Sequence, residues 1–136
     1  MKQIFLSIAA ILGGLSVAAG AFASHSLRGQ ISDRIIDSGY HQRALEIFEV
    51  GTRYQMYHAL ALLAVAILLK NQPSPSKSLI VSGWLFIIGI LLFSGSLYAL
   101  SLTTIAGLGL ITPIGGVALI CGWGALAISA MGESRD

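Results

Sequence analysis

Residues 78–132 read SLIVSGWLFIIGILLFSGSLYALSLTTIAGLGLITPIGGVALICGWGALAISAMG, and between Lys77 and Glu133 no side chain is charged. About 20 apolar residues are enough for a helix to cross a hydrocarbon core of about 30 Å, so this interval holds two crossings. It divides into spans at about 78–102 and 108–131, joined by a tight connection through Thr103, Thr104, Ala106 and Gly107. Pro113 falls in the first turn of the later span, where a missing N–H is tolerated. Backbone amides in lipid must bond internally, which leaves helices or a closed barrel. Barrel strands alternate over about ten residues. These runs are far longer and helical in period, so helices are expected.

Upstream lies Lys70-Asn71-Gln72-Pro73-Ser74-Pro75-Ser76-Lys77, an exposed loop (70–77), because two prolines so close cannot continue a helix. Before it a span covers about 50–69. Only 16 residues separate Arg53 from Lys70, short of a full crossing at about 1.5 Å per residue. That helix must therefore begin upstream, with Arg53 at the headgroup level or turned inward and Lys70 snorkelling at the other end. Residues 25–49 are polar and hold Arg28, Asp33, Arg34, Asp37, Arg43, Glu46 and Glu49. A turn of helix is expected from Asp33, a break at Ser38-Gly39, and from Tyr40 an amphipathic helix at the membrane interface. Leu45 and Phe48 share one face of it, and Glu46 and Glu49 another.

The first apolar stretch, Ile4 to Ala23, gives a span at about 3–24. Ala21-Phe22-Ala23 resembles a signal-peptide cleavage site, but the run exceeds the usual signal core of about 7–15 residues, and a retained helix is expected. Two rows of small residues run along it, Ser16, Gly20 and Ser24 on one and Ala10, Gly14 and Ala18 on the other. Such rows let helix backbones approach closely in lipid. Trp84 and Tyr98 stand near opposite ends of the third span, where interfacial anchors are common.

Composition agrees with this plan. The chain has 136 residues, enough for one domain, with 55% hydrophobic and 10% charged side chains. Soluble domains carry about 25% charged residues. Mean hydropathy is +0.82. A net charge of +2 from scattered residues excludes a nucleic-acid footprint. The lone Cys121 can form neither an internal disulfide nor a multi-cysteine metal site and reads as apolar filler. The expected architecture is all-α: a polytopic four-transmembrane-helix bundle over residues 1–136. Four spans put both termini and the 70–77 loop on one side. Lys and Arg then divide evenly between the two sides, with Lys2, Lys70, Lys77 and Arg135 against Arg28, Arg34, Arg43 and Arg53. The free amino terminus tips the expectation toward cytoplasmic termini.

The chemistry-bearing stretch is Phe48-Glu49-Val50-Gly51-Thr52-Arg53-Tyr54-Gln55-Met56-Tyr57-His58. Glu49 with Arg53, Arg53 with Tyr57, and Tyr54 with His58 are i,i+4 neighbours on a helix. Polar groups this near lipid should turn into the bundle and find partners. Glu49, Arg53, Tyr54, Tyr57 and His58, with His25 at the end of the first span, form a candidate cluster, either structural or a binding or proton-handling site. No HExxH, CxxC or GxSxG sequence occurs. Gly13-Gly14 and Gly115-Gly116 lack the strand–loop–helix context of a phosphate loop. No catalytic residue, metal or cofactor is expected. Haem would call for a second axial ligand at a depth similar to that of His58.

The stretches Ala19-Gly20-Ala21-Phe22-Ala23-Ser24-His25, Phe48 through Ala61, Gly83-Trp84-Leu85-Phe86, Phe93-Ser94-Gly95-Ser96-Leu97-Tyr98 and Ile111-Thr112-Pro113-Ile114-Gly115-Gly116 cover nearly the whole chain in order. On these residues the chain resembles the domain-of-unknown-function 423 family of small bacterial inner-membrane proteins, related to the eukaryotic transmembrane protein 256. The family's first motif reads closer to A-G-A-F-G-A-H, and Ala23-Ser24 stands here for its Gly-Ala. The resemblance implies a multi-pass inner-membrane protein with a retained first helix and no assigned reaction. A non-enzymatic accessory, assembly or scaffold component of membrane complexes is the leading expectation. Its partners would be the bilayer, other membrane proteins or a second copy. An oligomeric transporter or channel subunit is the alternative, resting on the cluster with Ser94, Ser96, Thr103 and Thr112, and a membrane enzyme ranks third.

Overall fold

A computed structural model describes residues 1–27, 38–103 and 105–133. The expected turn at Asp33, the charges Arg28, Arg34, Asp37 and Arg135, and Thr104 lie outside the described residues. The elements are α1 (Lys2–Phe22), a π-helical turn (Ala23–Leu27), α2 (Ser38–Asn71), α3 (Lys77–Leu102), a 3-10 turn (Ala106–Leu110) and α4 (Thr112–Glu133). All four α-helices are long and apolar enough to cross a membrane. Most large apolar side chains on α1 and α4, among them Ile11, Val17, Val117 and Ile120, point outward. That surface suits a protein whose solvent is lipid.

Residues 38–49 do not form a separate helix: α2 runs from Ser38 without interruption into the second span. Ser38-Gly39, expected as a break, begins the helix. At 34 residues α2 is about 51 Å long, well beyond a core of about 30 Å, so its first turns project from the membrane. Gly51 does not interrupt it and instead brings α2 close to Leu97 and Tyr98 of α3. Ser76 caps α3, its hydroxyl accepting from the Leu79 N–H at 3.3 Å, and Pro113 sits in the first turn of α4.

Consecutive helices pack in pairs, α1 on α2, α2 on α3 and α3 on α4. The inner pair is α2 and α3, with 44% of an 18-residue apolar stretch of each buried, against 17% of such a stretch in α1 and 22% in α4. The main core joins Phe5 and Ala9 of α1, Leu62, Val65 and Leu69 of α2, Leu79, Phe86 and Ile90 of α3, and Leu119 of α4. Lipid tails are as apolar as leucine, so contact area and close approach must hold this core. A Cβ at Gly115 would strike the backbone of Leu92 and Phe93, and one at Gly83 would strike the ring of Phe5. Gly115 lets α4 lie close against α3, and Gly83 leaves room for the Phe5 ring of α1 to reach α3.

Cys121 faces outward on α4 and fills nothing. Tyr98 is no interfacial anchor: its ring packs on Phe48, centroids 4.8 Å apart, and its hydroxyl turns inward. A phenol near lipid needs a partner for its proton, and α2 supplies one.

Candidate functional site

The sequence cluster separates into two places, because α2 turns about 100° per residue and residues 49–58 cannot all share a face. Glu49 and Arg53 lie on the α1 side. With Gly20, Ala23, Ser24 and Thr52 they line a cleft of about 260 Å³ where α1 passes into its π-helical turn. Both charged side chains are exposed. No ion pair joins them to each other or to another described residue, although their spacing permits one. Arg53 thus points outward instead of turning into the bundle. His25 is exposed on the π-helical turn and joins neither place.

Tyr54, Tyr57 and His58 lie on the α4 side. With Phe93, Leu119 and Trp123 they line a lipid-facing groove of about 630 Å³, and Gly116 leaves room in its wall. Tyr57 is 56% exposed and His58 only 6%. The His58 ring has both nitrogens engaged. Nδ1 lies 2.8 Å from the Tyr54 carbonyl oxygen, and the Trp123 indole N–H donates to Nε2 at 3.2 Å. An indole can only donate and a carbonyl can only accept. The ring that satisfies both is the neutral Nδ1–H tautomer, donating to Tyr54 and accepting from Trp123. His58 therefore ties α2 to α4, and Phe86 packs beneath both rings, 5.8 Å from His58 and 5.3 Å from Trp123.

Between the two places lies a polar network that the sequence reading did not single out. Gln55 is 5% exposed. Its Nε2 donates to the Leu12 carbonyl of α1 at 2.8 Å, and its Oε1 accepts from the Tyr98 hydroxyl of α3 at 2.9 Å. Ser16 of α1 answers by donating to the Thr52 carbonyl of α2 at 2.8 Å. Thr52 donates its own hydroxyl proton to the Phe48 carbonyl at 3.1 Å, so its contact with Tyr98 at 3.4 Å is that of a weak second acceptor. One amide thus connects three helices, near the middle of α1. In lipid each unmet polar group costs several kcal/mol, so helices that slid past one another would lose these bonds together. On the α3–α4 side, Ser96 lies 2.8 Å from Thr112 and donates to the Phe93 carbonyl at 2.9 Å, which leaves Thr112 to donate to Ser96. The hydroxyls of Ser82 and Ser94 are buried without a partner.

Two signals in the sequence point to the missed residues. Gln55 is an amide well inside a span, where burial without partners is costly. Trp123 sits at mid-span and not at an interface, where tryptophan is usual. Among the described residues no three His, Cys, Asp or Glu side chains gather as a metal-binding group would.

Comparison with known proteins gives a consistent picture. The family model described as "Protein of unknown function (DUF423)" matches residues 19–116. The chain is 43% identical over 129 residues to the UPF0382 membrane protein YwdK of Bacillus subtilis, covering 95% of this chain and 97% of that one. It is 42% identical over 127 residues to a UPF0382 membrane protein of Haemophilus influenzae, covering 93% of each. A UPF0382 membrane protein of Staphylococcus epidermidis is 39% identical over 129 residues, 95% of this chain and 96% of its own. No solved structure matches. The matched region runs from the end of α1, through Gln55, His58 and Tyr98, to the close contact at Gly115, and the chain belongs to the DUF423 family of membrane proteins.

Proposed function

We propose that this protein is a non-enzymatic accessory or assembly component of larger complexes in the bacterial inner membrane, with cytoplasmic termini. The observation that carries this reading is where the mid-membrane hydrogen bonds go. Gln55, Ser16, Tyr98 and Trp123 direct theirs to other helices of the same chain. That pattern suits a stiff scaffold more than a solute path. The outer helices add support. Ser16 and Gly20 of α1 are spent against α2, whereas Ala10, Gly14 and Ala18 face outward, and space around Gly14 is open. A second helix can approach closely along such a row.

The transporter reading draws less support, because Phe5, Leu62, Val65, Leu69 and Phe86 fill the bundle below the polar network. The test is photo-crosslinking in the native membrane from position 14, with the buried position 9 as control. A discrete adduct with another membrane protein from position 14 alone is expected. Adducts with lipid only, together with a lone monomer on gentle extraction, would overturn the proposal.

A further inference from the structure

We infer that the cleft between the end of α1 and α2 binds the headgroup of a phospholipid carrying a primary amine, with Arg53 on the phosphate and Glu49 on the ammonium. This inference stands independently of the assembly role.

Three observations carry it. Glu49 and Arg53 flank a real recess of about 260 Å³, and neither charge is used by a described residue. The recess has small walls at Gly20 and Ala23, the Thr52 methyl packs toward Gly20, and Ser24 stands at its edge. The Ser24 hydroxyl proton is already given to the Gly20 carbonyl at 3.0 Å. Its oxygen is therefore left to accept from an ammonium.

The order of the charges selects the ligand. Arg53 lies about 26 Å along α2 from Lys70, near the edge of a core of about 30 Å. Glu49 lies one turn, about 6 Å, further out. An aminophospholipid presents the same order: phosphate next to the glycerol, ammonium beyond it. Guanidinium suits phosphate through paired N–H donors, and a carboxylate discriminates an N–H-bearing ammonium from a trimethylated one, which has no N–H to give. An anionic lipid without the amine would satisfy Arg53 and face Glu49 with nothing to neutralise it.

The test is native mass spectrometry of the full chain in detergent, titrated with phosphatidylethanolamine, phosphatidylcholine or phosphatidylglycerol of identical acyl chains. Phosphatidylethanolamine should be retained several-fold more than the other two. Arg53→Gln should lower retention of both phosphatidylethanolamine and phosphatidylglycerol several-fold. Glu49→Gln should abolish the preference for the amine while leaving phosphatidylglycerol retention unchanged or raised. Equal retention of the three lipids by the unaltered chain would overturn the proposal, as would wild-type retention by both variants. Free O-phosphoethanolamine at the concentration of the lipid should not displace it. Displacement would overturn the assignment to a bilayer lipid.

Discussion

The two halves of the bundle are held together by different means. Toward the 70–77 loop the contacts are apolar: Phe5 wedges against Gly83 and packs edge-on to Trp84 at 5.5 Å, and Leu62, Val65, Leu69 and Leu79 fill the remainder. Toward the other end the helices are bonded by directional groups, with Gln55 at the centre and Ser16, Thr52 and Tyr98 around it. Packing tolerates small slides, whereas a 2.8 Å hydrogen bond does not. The difference implies that the apolar half supplies most of the cohesion and the polar half sets the register.

The largest effect should come from the apolar half. Phe5 is fully buried and is the side chain through which α1 reaches α3. In soluble proteins Phe→Ala costs about 3–5 kcal/mol, of which part is transfer to water and part an unfilled cavity. In a bilayer the separated helix keeps its phenylalanine in lipid, so the transfer part falls away. Phe5→Ala is expected to cost about 2–3 kcal/mol in unfolding by SDS titration from mixed micelles. A cost below about 0.5 kcal/mol would mean that the polar half holds α1 alone.

A smaller effect is expected from the polar half, with a different signature. Gln55→Leu keeps bulk but removes both bonds of the amide, leaving Tyr98 only the distant Thr52 hydroxyl. A loss of about 1–2 kcal/mol is expected, and about 1 kcal/mol for Tyr98→Phe. Interhelical side-chain bonds in membranes couple by about 0.6 kcal/mol on average and up to about 1.7 kcal/mol. A double-mutant cycle should therefore return a coupling in that range. Additivity within error would sever the two residues energetically and reduce the network to coincidence of geometry.

Legibility in the sequence follows the same division. The charge-free interval 78–132 and the Pro73–Pro75 loop give the helices and their order, because lipid enforces those features locally. The site was only half legible. Spacing along α2 places Glu49 beside Arg53 and Tyr54 beside His58, yet cannot say that the first two face α1 and the others α4. Partners such as Trp123 and Tyr98 lie 65 and 43 positions from the groups they bond, a distance no local pattern spans. The outward turn of Cys121 was equally invisible, since an apolar helix in lipid has no hydrophobic face to mark its inside.

The smallest effect should arise where the halves meet. Trp123→Phe keeps an aromatic ring over Phe86 while deleting the one N–H that reaches His58. The cost in stability is expected to be about 0.6 kcal/mol, so the ring nitrogens give the sharper reading. In the unaltered chain, 15N spectra of His58 should show a protonated Nδ1 and a bare, hydrogen-bonded Nε2. In Trp123→Phe the Nε2 resonance should move toward that of an unbonded acceptor, while Nδ1, held by the Tyr54 carbonyl of its own helix, stays in place. A protonated Nε2 in the unaltered chain would put two donors face to face, and His58 and Trp123 would then join α2 to α4 by ring contact without a hydrogen bond. If only the Nε2 signal responds, the tie between α2 and α4 is directional like that of Gln55, and the register-setting half extends one turn further down the bundle.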